Sequence, residues 1–242
     1  MTYDAVLLVG FGGPEKSEDV MPFLENVTRG RRIPRERLLE VAGHYHHLGG
    51  KSPINDHMRE LKAALEAELA EKGPRLPVYW GNRNWHPMLA DTVRRMRDDG
   101  VKRALAFIAA AWSSYSSCRQ YLDNLEAARA EVGEGAPELH RLRLFYNHPG
   151  FLEPVAGRLR AAVEELPEEL RGDAEVLFTA HSIPLSMAEG SRYVAQLEEA
   201  SALVASMAGC GKWRLVYQSR SGPPEQPWLE PDILDALAGV KS

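Results

Sequence analysis

Several short stretches of this chain put reactive side chains at the ends of apolar runs. In Leu177-Phe178-Thr179-Ala180-His181-Ser182-Ile183-Pro184, a histidine follows a run that is apolar on both faces. Imidazole titrates near ~6.5, so it can take a proton at neutral pH or ligate a metal. A lone histidine is more often structural. The carboxyl end of a strand, however, is where α/β folds build their sites, and this favours a catalytic reading of His181. His44-Tyr45-His46-His47, followed by Leu48-Gly49-Gly50-Lys51-Ser52-Pro53-Ile54, is a second concentration of imidazoles. Neighbouring histidines on an extended segment point to opposite sides, so a polar pocket wall is expected there rather than a metal cage.

The remaining polar and aromatic features each have a bland reading beside a functional one. Arg29-Gly30-Arg31-Arg32-Ile33-Pro34-Arg35 is a basic cluster in an acidic chain. Guanidinium forks match carboxylates, although a solvated loop explains the cluster equally well. Gly10-Phe11-Gly12-Gly13-Pro14 falls short of a dinucleotide fingerprint, because position 15 is Glu15 and Pro14 spoils the helix N-terminus that would hold a pyrophosphate. Its glycines turn the chain and let something flat approach the backbone. Trp85 in Gly81-Asn82-Arg83-Asn84-Trp85-His86-Pro87, and Trp112 and Tyr115 in Trp112-Ser113-Ser114-Tyr115-Ser116-Ser117, are aromatics able to line a slot. Gln218 to Asp232 is rich in proline, stiffer than an ordinary loop, and holds Trp228. Cys118 opens a helical face continued by Tyr121, Leu122 and Leu125, and both it and Cys210 read as small buried hydrophobes.

The elements that must position these residues alternate along the chain. Apolar runs at 5–9, 78–80, 104–108, 142–145, 176–178 and 215–217 predict strands. Between them, Met58, Leu61, Leu65 and Leu69 share a helical face, as do Leu152, Val155, Leu159, Ala162 and Leu166. A further helix carries Leu89, Val93 and Met96. Alternation of this kind implies an α/β fold with parallel sheets flanked by helices. Asn147-His148-Pro149-Gly150 is the expected seam between domains 1–147 and 148–242. The loops expected to build a site are 10–14, 81–87, 109–119, 180–186 and 217–231.

Composition narrows the function classes. The 242 residues carry a net charge of −5, so no basic field draws the chain to nucleic acid or anionic lipid. No apolar run approaches the ~18 residues of a membrane span, and no cleavable leader is expected ahead of the first strand. Two cysteines suit a reducing cytosol, giving a cytoplasmic expectation.

Taken together, these segments resemble the ferrochelatase family. The resemblance rests on Leu7-Leu8-Val9-Gly10-Phe11-Gly12-Gly13-Pro14, Gly49-Gly50-Lys51-Ser52-Pro53-Ile54, Ala180-His181-Ser182-Ile183-Pro184, and Val216-Tyr217-Gln218-Ser219 through Pro227-Trp228-Leu229-Glu230-Pro231-Asp232. These motifs stand in family order over nearly the whole chain. Gly81 to Pro87 and Ser116-Ser117-Cys118-Arg119-Gln120-Tyr121 are similar to the actinobacterial branch, which is associated with coproporphyrin III. The resemblance implies two Rossmann-like, chelatase-type domains with a porphyrin in the cleft between them. It implies Fe²⁺ as substrate, and His181 as the group that takes pyrrole protons, transiently ligates iron, or both. By the same resemblance Arg29, Arg31 and Arg32 meet propionates and Ser52 sits in a further carboxylate-contacting loop. Phe11, where some relatives carry an iron-ligating tyrosine, packs against the macrocycle, and Tyr115 and Trp228 complete the substrate-binding set.

The family pattern continues beyond Ser242 into a strand, an Asp-His-x-Glu segment and a closing helix. The second domain is therefore expected to be incomplete at its C-terminus. Cys118 would be one of four [2Fe–2S] ligands only where a tail supplies the other three. The expected activity is ferrous iron insertion in heme biosynthesis, with coproporphyrin III favoured over protoporphyrin IX. The alternative is an impaired porphyrin- or heme-binding fragment lacking the C-terminal acid. A transient iron donor or a downstream heme-pathway enzyme is the expected partner.

Overall fold

The computed structural model describes residues 2–31, 33–114, 119–222 and 225–239. It consists of two compact units, Met1–Ala109 with Gln120–Arg143, and Ala110–Arg119 with Leu144–Ser242.

The first unit is built on β1 (Ala5–Gly10), which is buried along its whole length. A strand apolar on both faces needs cover on both faces, and parallel crossovers supply it. The elements after it are α1 (Val20–Val27), α2 (Arg35–His47), α3 (Ile54–Lys72) and β2 (Val78–Asn82). They are followed by α4 (Leu89–Asp98), β3 (Arg103–Ile108), α5 (Gln120–Val132) and β4 (Glu138–Arg141). All strand pairs are parallel, in the order β2-β1-β3-β4. Met58 of α3 packs on Val6, Leu8 and Val78, with Leu65 and Leu69 half-buried beside it, and Leu61 is left on the rim at 38% exposure. Leu89, Val93 and Met96 of α4 are buried, while Arg94, Arg95 and Arg97 take the outer face in ion pairs. Leu7 and Leu8 are fully buried. Each such side chain stabilises the fold by about 1.5–3 kcal/mol.

The second unit contains α6 (Pro149–Glu164), the short α7 (Glu168–Arg171), β5 (Val176–His181) and the short α8 (Leu185–Glu189). Then come α9 (Tyr193–Ala208), β6 (Trp213–Gln218) and α10 (Ile233–Ala238). Strands β5 and β6 pair in parallel, with His181 opposite Gln218 at the carboxyl ends. The α6 helix starts with Pro149 at a position where its missing N–H costs nothing, and the His148 ring accepts from the Gly150 N–H at 3.1 Å. Leu152 and Ala156 of α6 interlock with Ala200 and Val204 of α9, and Trp112 covers the edge of that cluster. The α9 helix stops at Gly209, whose φ of 74° suits a residue without Cβ.

The α/β expectation holds: both units have parallel strands flanked by helices, in the manner of Rossmann-like domains. Two local expectations do not. Leu142-Arg143-Leu144-Phe145 is not a strand; the strand is Glu138–Arg141, and it closes the first unit's sheet. It is an edge strand, tied to β3 partly by the Arg103–Glu138 ion pair at 3.0 Å, so it needs no apolar run. The histidines 44, 46 and 47 lie on the last turn of α2 rather than on an extended segment. Leu38, Val41, Ala42 and Tyr45 of that helix pack on Val20, Phe23 and Leu24, which leaves the three imidazoles exposed. None of the described helices is long and apolar enough to cross a membrane.

Candidate functional site

In the first unit the loops at the carboxyl ends of β1 and β2 are zipped together. The Arg83 and Asn84 N–H groups donate to the Gly10 and Phe11 carbonyls, each at 3.1 Å. Gly12 has φ of 84°, and a Cβ there would stand 2.8 Å from the Trp85 nitrogen, so only glycine fits this approach. Beneath these loops lie two fully buried asparagines. Asn82 donates to Asn55 Oδ1 at 3.1 Å and to the His86 carbonyl at 3.2 Å, and accepts from the Trp80 indole N–H at 2.9 Å. Asn55, at the start of α3, donates to the Gly13 and His86 carbonyls and to Glu15, at 3.3, 3.1 and 3.0 Å. A buried polar network of this kind rigidifies what it holds. Here it holds both loops.

The loops carry an aromatic cluster. Phe23 is buried at its centre, edge-on to Phe11, Tyr45 and Trp85 with centroids 6.4, 6.1 and 6.1 Å away. Phe11, at 36% exposure, presents part of its ring to solvent. The Arg83 guanidinium lies over the Phe11 ring at 5.7 Å and the Tyr121 ring at 5.0 Å. Burial lowers the Arg83 pKa; Tyr121 opposes that shift and the like charge of Arg31 adds to it. Burial likewise raises the Tyr121 phenol, against the pull of Arg83. Arg29 and Arg31 are exposed on the turn after α1, and Arg29 shares a groove with Asn26, Arg83 and Glu131. Ser52 is tied into the adjoining loop: its N–H donates to the Pro14 carbonyl at 2.8 Å, and its hydroxyl accepts from the Ile54 N–H at 3.4 Å.

In the second unit His181 ends β5 with its side chain exposed, whereas Ser182, Ile183 and Pro184 after it are buried. Three backbone bonds fix this turn. Ser182 N–H donates to the Gln218 carbonyl at 2.8 Å, Leu229 N–H to the Ile183 carbonyl at 3.0 Å, and Leu185 N–H to the Pro227 carbonyl at 3.0 Å. The Ser182 hydroxyl adds a bond to the Leu229 carbonyl at 2.9 Å, and Trp228 bridges to Pro184. The proline-rich loop is therefore a brace for the histidine turn. The imidazole has no hydrogen-bond partner among the described residues, and the residue is exposed.

Of the residues singled out by sequence, Phe11 and Arg29 fall in the first unit's loop cluster, Arg31 stands near enough to bear on Arg83, and Ser52 lies beside Gly13. His181 and Trp228 share the second unit's brace. Arg32, Tyr115 and Cys118 lie outside the described residues. Sequence reasoning missed Arg83, Asn55, Asn82, Ser182 and Tyr193. Asn82 and Arg83 were within a loop already marked by its place after a strand; nothing in the sequence distinguished Asn55 or Tyr193. Among the described residues no three His, Cys, Asp or Glu side chains converge as a resident metal site would require.

Two units of parallel strands flanked by helices, with an exposed imidazole at one strand end and aromatic rings and arginines at others, put reactive groups where α/β enzymes build their sites. A family model described as ferrochelatase matches residues 3–242. The chain is 56% identical over 236 residues to a ferrochelatase of Rhodopirellula baltica, covering 98% of this chain and 67% of that protein. It is 54% identical over 243 residues to the coproporphyrin III ferrochelatase of Mycolicibacterium smegmatis, covering 99% and 72%. To the Nocardia farcinica protein of the same name it is 54% identical over 245 residues, covering 98% and 70%. The chain belongs to the ferrochelatase family, enzymes that insert ferrous iron into a porphyrin.

Proposed function

We propose that this chain inserts Fe²⁺ into coproporphyrin III, with His181 as the group that takes the pyrrole protons and transiently ligates the iron. The observation that carries the reading is the setting of His181: a solvent-facing imidazole on a backbone pinned by buried neighbours. Metal insertion releases two N–H protons, so a neutral imidazole within reach of the macrocycle lowers the barrier as general base. The choice of coproporphyrin III is supported by the names of the M. smegmatis and N. farcinica relatives. That substrate bears four carboxylates, and Arg29, Arg31, Arg32 and Ser52 are the groups we assign to them. Phe11, Tyr115 and Trp228 are assigned to packing against the flat macrocycle.

A [2Fe–2S] cluster does not fit the donor set of this chain. Its two cysteines, Cys118 and Cys210, cannot supply four thiolates, and Cys210 has no cluster of other donors around it among the described residues. The reaction is assigned to the cytoplasm, in keeping with low cysteine use, with product or iron exchanged through a transient iron donor or a downstream heme-pathway enzyme. We assign the work to two domains, 1–147 and 148–242, a boundary close to the Arg143–Leu144 division between the compact units.

The test is anaerobic incubation with Fe²⁺ and either coproporphyrin III or protoporphyrin IX, following loss of free-porphyrin fluorescence. Faster loss with coproporphyrin III is expected. Equal or reversed rates overturn the substrate assignment, and porphyrin binding with no metal insertion overturns the activity of this chain.

A further inference from the structure

We infer that Tyr193 is a positioning residue for this reaction, aiming the His181 imidazole by holding its backbone carbonyl. The inference rests on the role proposed for His181 above. In the pairing of β5 with β6, Val176 and Ser182 direct their N–H groups to the Lys212 and Gln218 carbonyls at 3.0 and 2.8 Å. Strand alternation then turns the N–H and C=O of His181 toward the opposite edge of β5. No strand pairs with that edge among the described residues. The Tyr193 hydroxyl takes the vacant place, donating to the His181 carbonyl at 3.0 Å.

The donor is itself well held. Tyr193 opens α9, is 7% exposed and packs among Ala180, Ile183, Leu197 and Tyr217. Its N–H donates to the Ser191 hydroxyl at 3.3 Å, which donates in turn to the Ala188 carbonyl at 3.2 Å. Burial, with the neighbouring Tyr217, pushes the phenol pKa up to about 12, so the hydroxyl remains a donor throughout the working range. The imidazole makes no hydrogen bond of its own among the described residues, so the peptide unit is what fixes the point from which it projects. A misplacement of about 1 Å costs up to ~100-fold in rate, which makes the anchor of that peptide matter to catalysis.

The experiment compares Tyr193→Phe with the unsubstituted chain in anaerobic Fe²⁺ insertion into coproporphyrin III, and repeats the substitution in a His181→Ala background. Tyr193→Phe keeps the ring and deletes the hydrogen bond. Its expected effect is a kcat lowered about fivefold or more with KM for porphyrin unchanged, since one neutral hydrogen bond has about that worth. In the His181→Ala background the same substitution should leave the residual rate unaltered. Val204→Ala, which loosens α9 against α6 in a separate cluster, supplies a loss of stability away from Tyr193 and should leave kcat unchanged. Equal slowing in both backgrounds, equal slowing by Val204→Ala, or no slowing by Tyr193→Phe beside an inactive His181→Ala each overturns the role of Tyr193. An undiminished rate in His181→Ala overturns instead the reading on which it rests.

Discussion

Replacing Asn82 with alanine removes three bonds at once: the donations to Asn55 Oδ1 and the His86 carbonyl, and the acceptance from Trp80. The His86 carbonyl keeps Asn55 as a donor, so the cost falls on the other two groups. Asn55 is fully buried, and its stranded amide oxygen costs about 1–3 kcal/mol; the indole N–H of half-buried Trp80 costs about 1 kcal/mol. The sum is roughly 3 kcal/mol, which for a chain of this length lowers the melting temperature by roughly 6–12 °C. Thermal melts followed by circular dichroism measure this, with Asn55→Ala and the double substitution closing the cycle. The two changes should be coupled by about 1–2 kcal/mol, because either one breaks the same pair. Activity adds a second reading. The pair holds the loop that carries Arg83 and Trp85, so the substitution should raise KM for porphyrin more than it lowers kcat. A melting shift under about 2 °C or an additive cycle would refute the network's role. A loss confined to kcat would refute its link to substrate binding.

Three further outcomes follow from the same geometry. Gly12→Ala should cost at least about 2 kcal/mol, because it adds a clash to a strained φ, whereas Gly30→Ala, with φ of 79° but open space around it, should cost about 1 kcal/mol; equal melting temperatures for the two would contradict this. Arg29→Ala and Arg31→Ala should raise KM for porphyrin several-fold at low ionic strength, with the difference shrinking in high salt as screening sets in. A salt-independent KM change would remove charge from their role. Tyr193 is held as the neutral phenol by a pKa of about 12, above the value near 10 expected when unfolded. Its contribution is fully present below pH 10 and is lost as pH rises toward 12, so denaturant stability should fall over that window. That fall should be smaller in Tyr193→Phe.

What could be read from the sequence depended on how local its cause was. The strands β1, β2, β3, β5 and β6 were legible because each is an apolar run closed by a turn, and α3, α4 and α6 because their apolar residues repeat at helical spacing. The edge strand β4 escaped, since Glu138-Leu139-His140-Arg141 is held by backbone pairing and an ion pair rather than by burial. The helix α2 was obscured by its histidines, although Leu38, Val41, Ala42 and Tyr45 already had the spacing of a buried face. His181 and Trp228 could be picked out because a reactive or aromatic residue stood at a strand end or in a stiff loop. Asn55 and Arg83 could not, because their burial arises only where distant loops meet. Tyr193 was hidden for the same reason: its partner is twelve residues away, across a turn whose direction the sequence does not state.

The most direct test of the account is anaerobic Fe²⁺ insertion by His181→Ala, measured beside porphyrin binding by the same variant. General-base catalysis by a positioned side chain contributes about 10²–10⁴-fold. The account predicts a loss of that order in turnover, with porphyrin affinity within a few-fold of the unsubstituted chain. Undiminished turnover would contradict it, as would a loss explained wholly by weakened binding.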